Sequence, residues 1–243
     1  MSAARFFIEG IYATGETLDL AGGDAHKIVD VLRKRSGDAI EIVDSSAQRF
    51  AATLEIEGRS VRARLNERRA APEARGLDIT VAQGLPKGQK MDFVVEKATE
   101  LGAATIIPIY SERTIVSDTG TTKIDRWRRL AKTAAAQCGR DRIPEIAEPR
   151  KYAELLASFS EYDTVLFPWE LAEPKPLRDT LPGLLKSARR VLVIIGPEGG
   201  FSHAEAEAAQ RAGAHMISLG PRILRTETAA LVALALLNYV TGV

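Results

Sequence analysis

The chain of 243 residues has a single cysteine, Cys138, and three histidines, His26, His203 and His215. One thiol excludes an intramolecular disulfide framework, and without a cysteine cluster there is no basis for a cysteine-held zinc. The histidines stand far apart with no ligand spacing, so no metal is expected. Long apolar runs are missing as well. The longest, Ala229 to Leu237, has nine residues, against about 20 for a membrane-spanning helix; no membrane partner is expected. Met1 to Gly10 has neither a long apolar core nor a cleavage pattern, so a reduced, cytoplasmic protein is the default expectation. Excess charge of one sign is also absent: 33 Lys and Arg face 32 Asp and Glu. Net charge is therefore silent about nucleic acid, and distribution must decide. No internal repeat or low-complexity segment is present.

What is there reads as globular. Hydrophobic residues make up 45% and charged residues 27%, enough apolar material for a core without staples. The early part predicts a strand at Arg5 to Gly10 and a short helix at Asp24 to Arg35, where Ile28, Val29, Val31 and Leu32 recur at helical spacing. After the turn Ser36-Gly37-Asp38 come strands at Ala39 to Val43, Arg49 to Ile56 and Ser60 to Leu65. Short strands with tight turns suggest a small β-barrel over residues 1–70. Arg68 to Gly76 reads as a linker.

From residue 76 to 243 the pattern alternates. Strands are predicted at Leu77 to Ala82, Ala104 to Tyr110, Thr164 to Phe167, Val191 to Ile195 and Met216 to Leu219. Helices are predicted at Lys90 to Leu101, closed by Gly102, at Ile124 to Cys138, at His203 to Ala212 and at Thr228 to Val240. Ser202-His203-Ala204-Glu205 has capping-box form, and Gly213 closes that helix. Alternation of this kind means an α/β domain with a mostly parallel sheet.

In open α/β sheets ligands sit beyond the C-terminal strand ends. Three ends stand out: Phe167-Pro168-Trp169-Glu170, Gly196-Pro197-Glu198-Gly199-Gly200, and Gly220-Pro221-Arg222-Ile223-Leu224-Arg225-Thr226-Glu227-Thr228-Ala229. The glycine-rich segment is not a phosphate loop. Phe201-Ser202 stands where Gly-Lys-Ser/Thr would be needed, the dinucleotide glycine spacing is wrong, Pro197 has no N–H and Glu198 would repel phosphate. It fits a ligand without a phosphate tail, or an unliganded strand-to-helix turn. The third segment concentrates Arg222, Arg225, Glu227, Thr226 and Thr228 at a helix start, where backbone N–H groups are free. A plain N-cap by Thr226 or Thr228 is the alternative.

The glycine segment, followed by Leu219 through Ala229, resembles the signature of the ribosomal RNA small subunit methyltransferase E family of SPOUT methyltransferases. Supporting pieces occur in order: Arg5-Phe6, His26, Val31-Leu32-Arg33, Gly37-Asp38, Lys97 through Gly102, and Gln137-Cys138-Gly139-Arg140 before Pro144. Lys27 departs from the pattern, since many members carry a second histidine there. The resemblance implies a PUA-like N-terminal barrel and a C-terminal α/β domain whose chain forms a trefoil knot. It implies S-adenosyl-L-methionine bound in three loops matching the three strand ends, and a homodimer with active sites at the subunit interface. It implies methylation of uridine N3 in the decoding region of 16S rRNA.

On that footing the cofactor candidates are apolar Phe167, Ile195, Leu219, Ile223 and Leu224, with Pro168, Gly196, Pro197, Glu198, Gly199, Gly200, Gly220, Arg225, Thr226, Thr228 and Ala229 around them. The uracil N3 proton must leave before or during attack. Arg225 would stabilise the developing anion, and Glu227 would accept the proton or orient Arg225, with a structural ion pair as the plain alternative. Between Thr122 and Arg142 seven cations face two acids, which suits phosphate contacts. The RNA candidates are Arg126, Arg129 and Arg140 there, and Arg5, Arg33, Arg62 and Arg64 in the first domain. Other readings are a SPOUT enzyme acting on another RNA or a ribose 2′-oxygen, and a non-catalytic ribosome-assembly factor.

Overall fold

Alternating apolar residues in the first part of the chain resolve into five strands and one short helix: β1 (Arg5–Phe7), β2 (Thr17–Leu20), α1 (Gly22–His26), β3 (Ala39–Val43), β4 (Arg49–Glu57) and β5 (Ser60–Arg69). The computed structural model describes residues 3–70, 76–115, 119–173 and 177–242. It contains two units, Met1–Glu73 with Ala135–Arg142, and Ala74–Ala134 with Ile143–Val243.

In the first unit the strands pair in the order β1-β3-β4-β5-β2. β1 runs parallel to β3, and the other pairs are antiparallel. Leu18, Ile40, Ile42, Phe50, Leu54, Val61 and Leu65 share one core with Phe6 and Ile28. Among the described residues no pairing joins β1 to β2, so the expected barrel appears as a five-stranded sheet around that core. The expected helix at 24–35 is shorter and starts earlier. Ala21 is its N-cap, Asp24 lies in its first turn, and from Lys27 to Val31 the helix widens into a π turn. The expected linker begins later, because β5 takes in Arg68 and Arg69; residues 71–75 lie outside the described residues. The segment 135–142, expected with the second domain, joins the first unit because Phe7 and Val43 pack on Ala135.

The second unit contains β6 (Asp78–Gly84), α2 (Lys90–Glu100), β7 (Thr105–Tyr110), α3 (Gly120–Cys138, up to Ala134), β8 (Glu145–Ile146), β9 (Arg150–Lys151), α4 (Tyr152–Ala157), β10 (Thr164–Pro168), α5 (Leu177–Leu185), β11 (Arg190–Ile195), α6 (His203–Arg211), β12 (His215–Ile217) and α7 (Thr226–Thr241). The sheet order is β12-β10-β11-β6-β7-β8, with β9 also on β7. Every pair is parallel.

A parallel sheet is covered on both faces, so its strands are apolar on both sides. β11 shows this. Val191, Val193 and Ile195 face a core with α2, α3, α5 and α7, whereas Leu192 and Ile194 face a second core with α4 and α6. The chain steps from β10 inward to β11, then back past β10 to the outer edge at β12. That reversal gathers the loops after all three strands at one end of the sheet. Asn238 Nδ2 donates to the Leu101 carbonyl at 2.8 Å, tying α7 to α2. Among the described residues no helix is long and apolar enough to cross a membrane.

Candidate active site

The loops after β10, β11 and β12, with the first turns of α2 and α7, enclose a cleft of about 460 Å³, within the range of small-molecule sites. Its apolar lining is Ile195, Leu219, Ile223, Leu224 and Ala229, together with Pro168, Trp169 and Phe201. Gly196, Pro197, Glu198, Gly199, Gly200, Gly220, Arg225 and Thr226, all named from the sequence, line the same cleft.

The glycines are there because backbones approach closely. A Cβ on Gly84, at the end of β6, would lie 2.4 Å from the Pro197 nitrogen. One on Gly196 would press on the Phe201 ring at 3.2 Å. Gly200 has φ +66, a conformation L side chains rarely adopt. Thr226 fixes the other side. Its hydroxyl donates to the Gly196 carbonyl and accepts from Gln83 Nε2 at 2.7 Å. The third segment is thereby pinned to the glycine loop and to β6.

Lys90, which sequence reasoning missed, stands in the first turn of α2 and lines the cleft. Its Nζ donates to Glu198 Oε1 at 2.7 Å, and Glu198 also accepts from the Lys87 amide at 3.1 Å. Burial pushes the Glu198 carboxyl up, but the Lys90 and backbone hydrogen bonds outweigh it and hold the group below its ordinary value. Glu198 is therefore a tether between the glycine loop and α2, besides lining the cleft. No local signal marks Lys90, because its partner is remote in sequence.

Three sequence-named residues fall outside the cleft. Phe167 is fully buried in the second core, 4.7 Å from the Phe201 ring centre, so it supports the wall from behind. Thr228 is exposed on α7, about 200° round the helix from Thr226. Glu227 does not line the cleft; its carboxylate lies 4.0 Å from Lys90 Nζ, and its Oε2 has no hydrogen-bond partner. Arg225 is the N-cap residue of α7, exposed and lining the cleft. Among the described residues its guanidinium has no ion-pair partner. Trp169, Glu170, Ser218 and Arg222 also line the cleft; the sequence analysis did not name them as ligand contacts.

The arginines expected on RNA divide. Arg5 is corrected: it is buried, and its guanidinium donates to Glu41 at 2.8 Å, to Asp141 at 2.7 Å and to the Gly139 carbonyl. It is a structural clamp of the first unit. Arg62 pairs with Glu57 at 3.4 Å and Arg126 with Asp92 at 2.6 Å. Arg140 is half-buried. Arg33, Arg64 and Arg129 are exposed.

Residues 73–238 match the family model described as an RNA methyltransferase domain. The chain is 32% identical to the ribosomal RNA small subunit methyltransferase E of Bacillus subtilis (strain 168), over 98% of this chain and 96% of that protein. A crystal structure of a ribosomal RNA small subunit methyltransferase E from Neisseria gonorrhoeae, bound to S-adenosyl methionine, superposes with a TM-score of 0.85 at 30% identity. It covers 98% of this chain and 97% of that one. A putative methyltransferase from Legionella pneumophila, in complex with the bound cofactor SAM, gives 0.88 at 31% identity over 98% of each chain.

Proposed function

Because the chain belongs to the ribosomal RNA small subunit methyltransferase E family, we propose that it methylates N3 of a specific uridine in the decoding region of 16S rRNA, using S-adenosyl-L-methionine. The family membership makes it an rRNA methyltransferase. The atom, the site on the RNA and the residue roles are this proposal's own. The observation that carries it is the cleft beyond β10, β11 and β12, with an unpaired arginine at its edge.

The residues present fit the cofactor. Ile195, Leu219, Leu224 and Ala229 offer apolar walls for an adenine, and the close approach at Gly84 and the left-handed backbone at Gly200 set the shape of the loop beside them. Glu170 and Glu198 line the same space, and carboxylates favour a sulfonium cation over a phosphate. When bound, the cofactor supplies an activated methyl group on that sulfonium.

Arg225 is the stabiliser. Its free guanidinium meets the negative charge that develops on uracil as the N3 proton leaves, and preorganised charge of this kind is a large catalytic term. Glu227 orients the site through Lys90; an unpaired carboxylate oxygen there leaves room for a role as proton acceptor after a small shift.

The same proposal includes a PUA-like first domain at 1–70, a knotted SPOUT domain at 76–243 and a homodimer. The reversal from β11 past β10 to β12, and the return of α7 onto α2 and α5, support the knot. Two large apolar side chains left exposed, Phe93 on α2 and Tyr239 on α7, support the dimer. Small ribosomal subunits from cells lacking this gene, incubated with methyl-labelled cofactor and digested to nucleosides, test the reading. Labelled 3-methyluridine at one site is the expected product. Label on a ribose, on another base or in another RNA would replace it.

A further inference from the structure

A strained stretch of backbone follows α1 in the first unit. Arg33 has φ +51, in the left-handed region where glycine is favoured. Among the described residues only Ala47 shares that feature without being glycine. Ahead of Arg33 lies the π turn at Lys27–Val31, closed by hydrogen bonds from the Leu32 amide to the Lys27 carbonyl at 2.8 Å and from the Lys34 amide to the Ile28 carbonyl at 3.0 Å. A π turn inserts one residue into the helix, and one residue is about 100° of rotation. Ile28 stays wholly buried and anchors the turn, while Val31 and Leu32 rotate outward, 63% and 37% exposed.

Arg33, Lys34 and Arg35 come directly after this exposed apolar pair. Among the described residues none of the three side chains has an ion-pair or hydrogen-bond partner. Arg5, Arg49, Arg62 and Arg69 of the same unit are each held by a carboxylate; Arg59, Arg64 and Arg68 are exposed like this turn, but none of them has a left-handed backbone. Here the chain keeps an arginine where glycine would relieve strain, and keeps two apolar side chains in water. Strain retained in this way points to a side chain with work outside the fold.

We propose that the Val31–Arg35 turn is an RNA-docking finger: its three cations contact phosphates, and Val31 with Leu32 press on an unstacked base or sugar beside them. Charge complementarity selects the partner. Single-stranded RNA presents phosphates next to the apolar faces of its bases, which matches free cations beside an apolar pair. The inference rests on the proposed RNA substrate, but it does not depend on which atom is methylated.

The test is filter binding of the full-length protein to unmethylated small ribosomal subunits over a range of salt. Arg33→Gln, Lys34→Gln and Arg35→Gln together should weaken binding at least tenfold and flatten the log–log salt slope by about 2, at about 0.7 per lost contact to a single strand. Val31→Ser with Leu32→Ser should weaken binding several-fold with the slope unchanged. Arg33→Gly should raise the melting temperature and still weaken binding, a combination a merely structural arginine would not give. Cofactor affinity should stay constant throughout. Wild-type affinity and slope in all three variants would overturn the finger. Loss with the charge variant alone would overturn its apolar half. If wild-type protein binds through the finger but transfers no methyl group, the functional reading fails and the finger stands; if it does not bind subunits, both fail.

Discussion

Gly84 shows how little room single positions near the cleft allow. Its missing Cβ would fall 2.4 Å from the Pro197 nitrogen and 2.7 Å from the Gly196 carbonyl carbon, so Gly84→Ala must displace the glycine loop. The expected result is cofactor affinity at least tenfold weaker, measured by calorimetry, with a lowered melting temperature. Arg225→Ala should behave oppositely. The side chain is exposed and unpaired, so fold and cofactor affinity should survive while turnover falls about a hundredfold or more. Near-normal turnover would remove Arg225 from the mechanism. Glu41 in the first unit makes a prediction about acid. Burial raises its carboxyl, but the Arg5 hydrogen bond and the charges of Arg5, Arg49 and Arg69 outweigh it and hold the group below the ordinary 4.5. A depressed carboxylate contributes stability above its unfolded value and loses it as pH falls through the folded one. Melting temperature should therefore drop as pH is lowered below about 4.5, and more steeply in wild type than in Glu41→Gln. At this scale the sequence exposed Thr226, Arg225 and the glycines, whose types are unusual for their places. It did not expose Lys90, whose partner Glu198 is 108 residues away.

The helices and strands differ in how openly the sequence announces them. α6 is the clearest: Ser202 Oγ accepts from the Glu205 amide at 3.3 Å and Glu205 Oε2 accepts from the Ser202 amide at 2.9 Å, as the capping-box spacing implies. Glu205 Oε1 also accepts from the Glu112 amide at 2.8 Å. Ser202→Ala should cost about 1 kcal/mol, read from a denaturant midpoint. Gly102 and Gly213 close α2 and α6 at φ +91 and +100, where the pattern put them. α5 is hidden because Pro182 lies inside it and Gly183 follows, and both residue types read as breakers. β2 is hidden by its length of four residues, although Leu18 and Leu20 alternate inward as a strand requires. The π turn after α1 is invisible to a 3.6-residue period. That period puts Val31 and Leu32 on the buried stripe, and the structure rotates both out.

The molecule as a whole carries its proposed assembly on α2 and α7. Tyr239 of α7 is 84% exposed and Phe93 of α2 44%, large apolar side chains left on the surface of the second unit. Tyr239→Glu should shift sedimentation from dimer toward monomer and lower turnover with it; a wild-type protein that sediments as a monomer would end the dimer reading. The order of residues alone was enough for the α/β alternation and for marking the three strand-end loops. Periodicity, turn residues and missing residue types are local properties that survive in one dimension. The tertiary structure alone decided which members of those loops share a cavity. It put Arg225 and Thr226 on the cleft, sent Thr228 outward and buried Phe167 behind the wall. It also decided which cations are free, pairing Arg126 with Asp92 and Arg5 with Glu41 and Asp141 while leaving Arg33 and Arg225 open. Strand order is the reason: β12 lies beyond β10 and β6 lies against β11, so the partners of a side chain are set by which strands and loops the sheet brings together rather than by their distance along the chain.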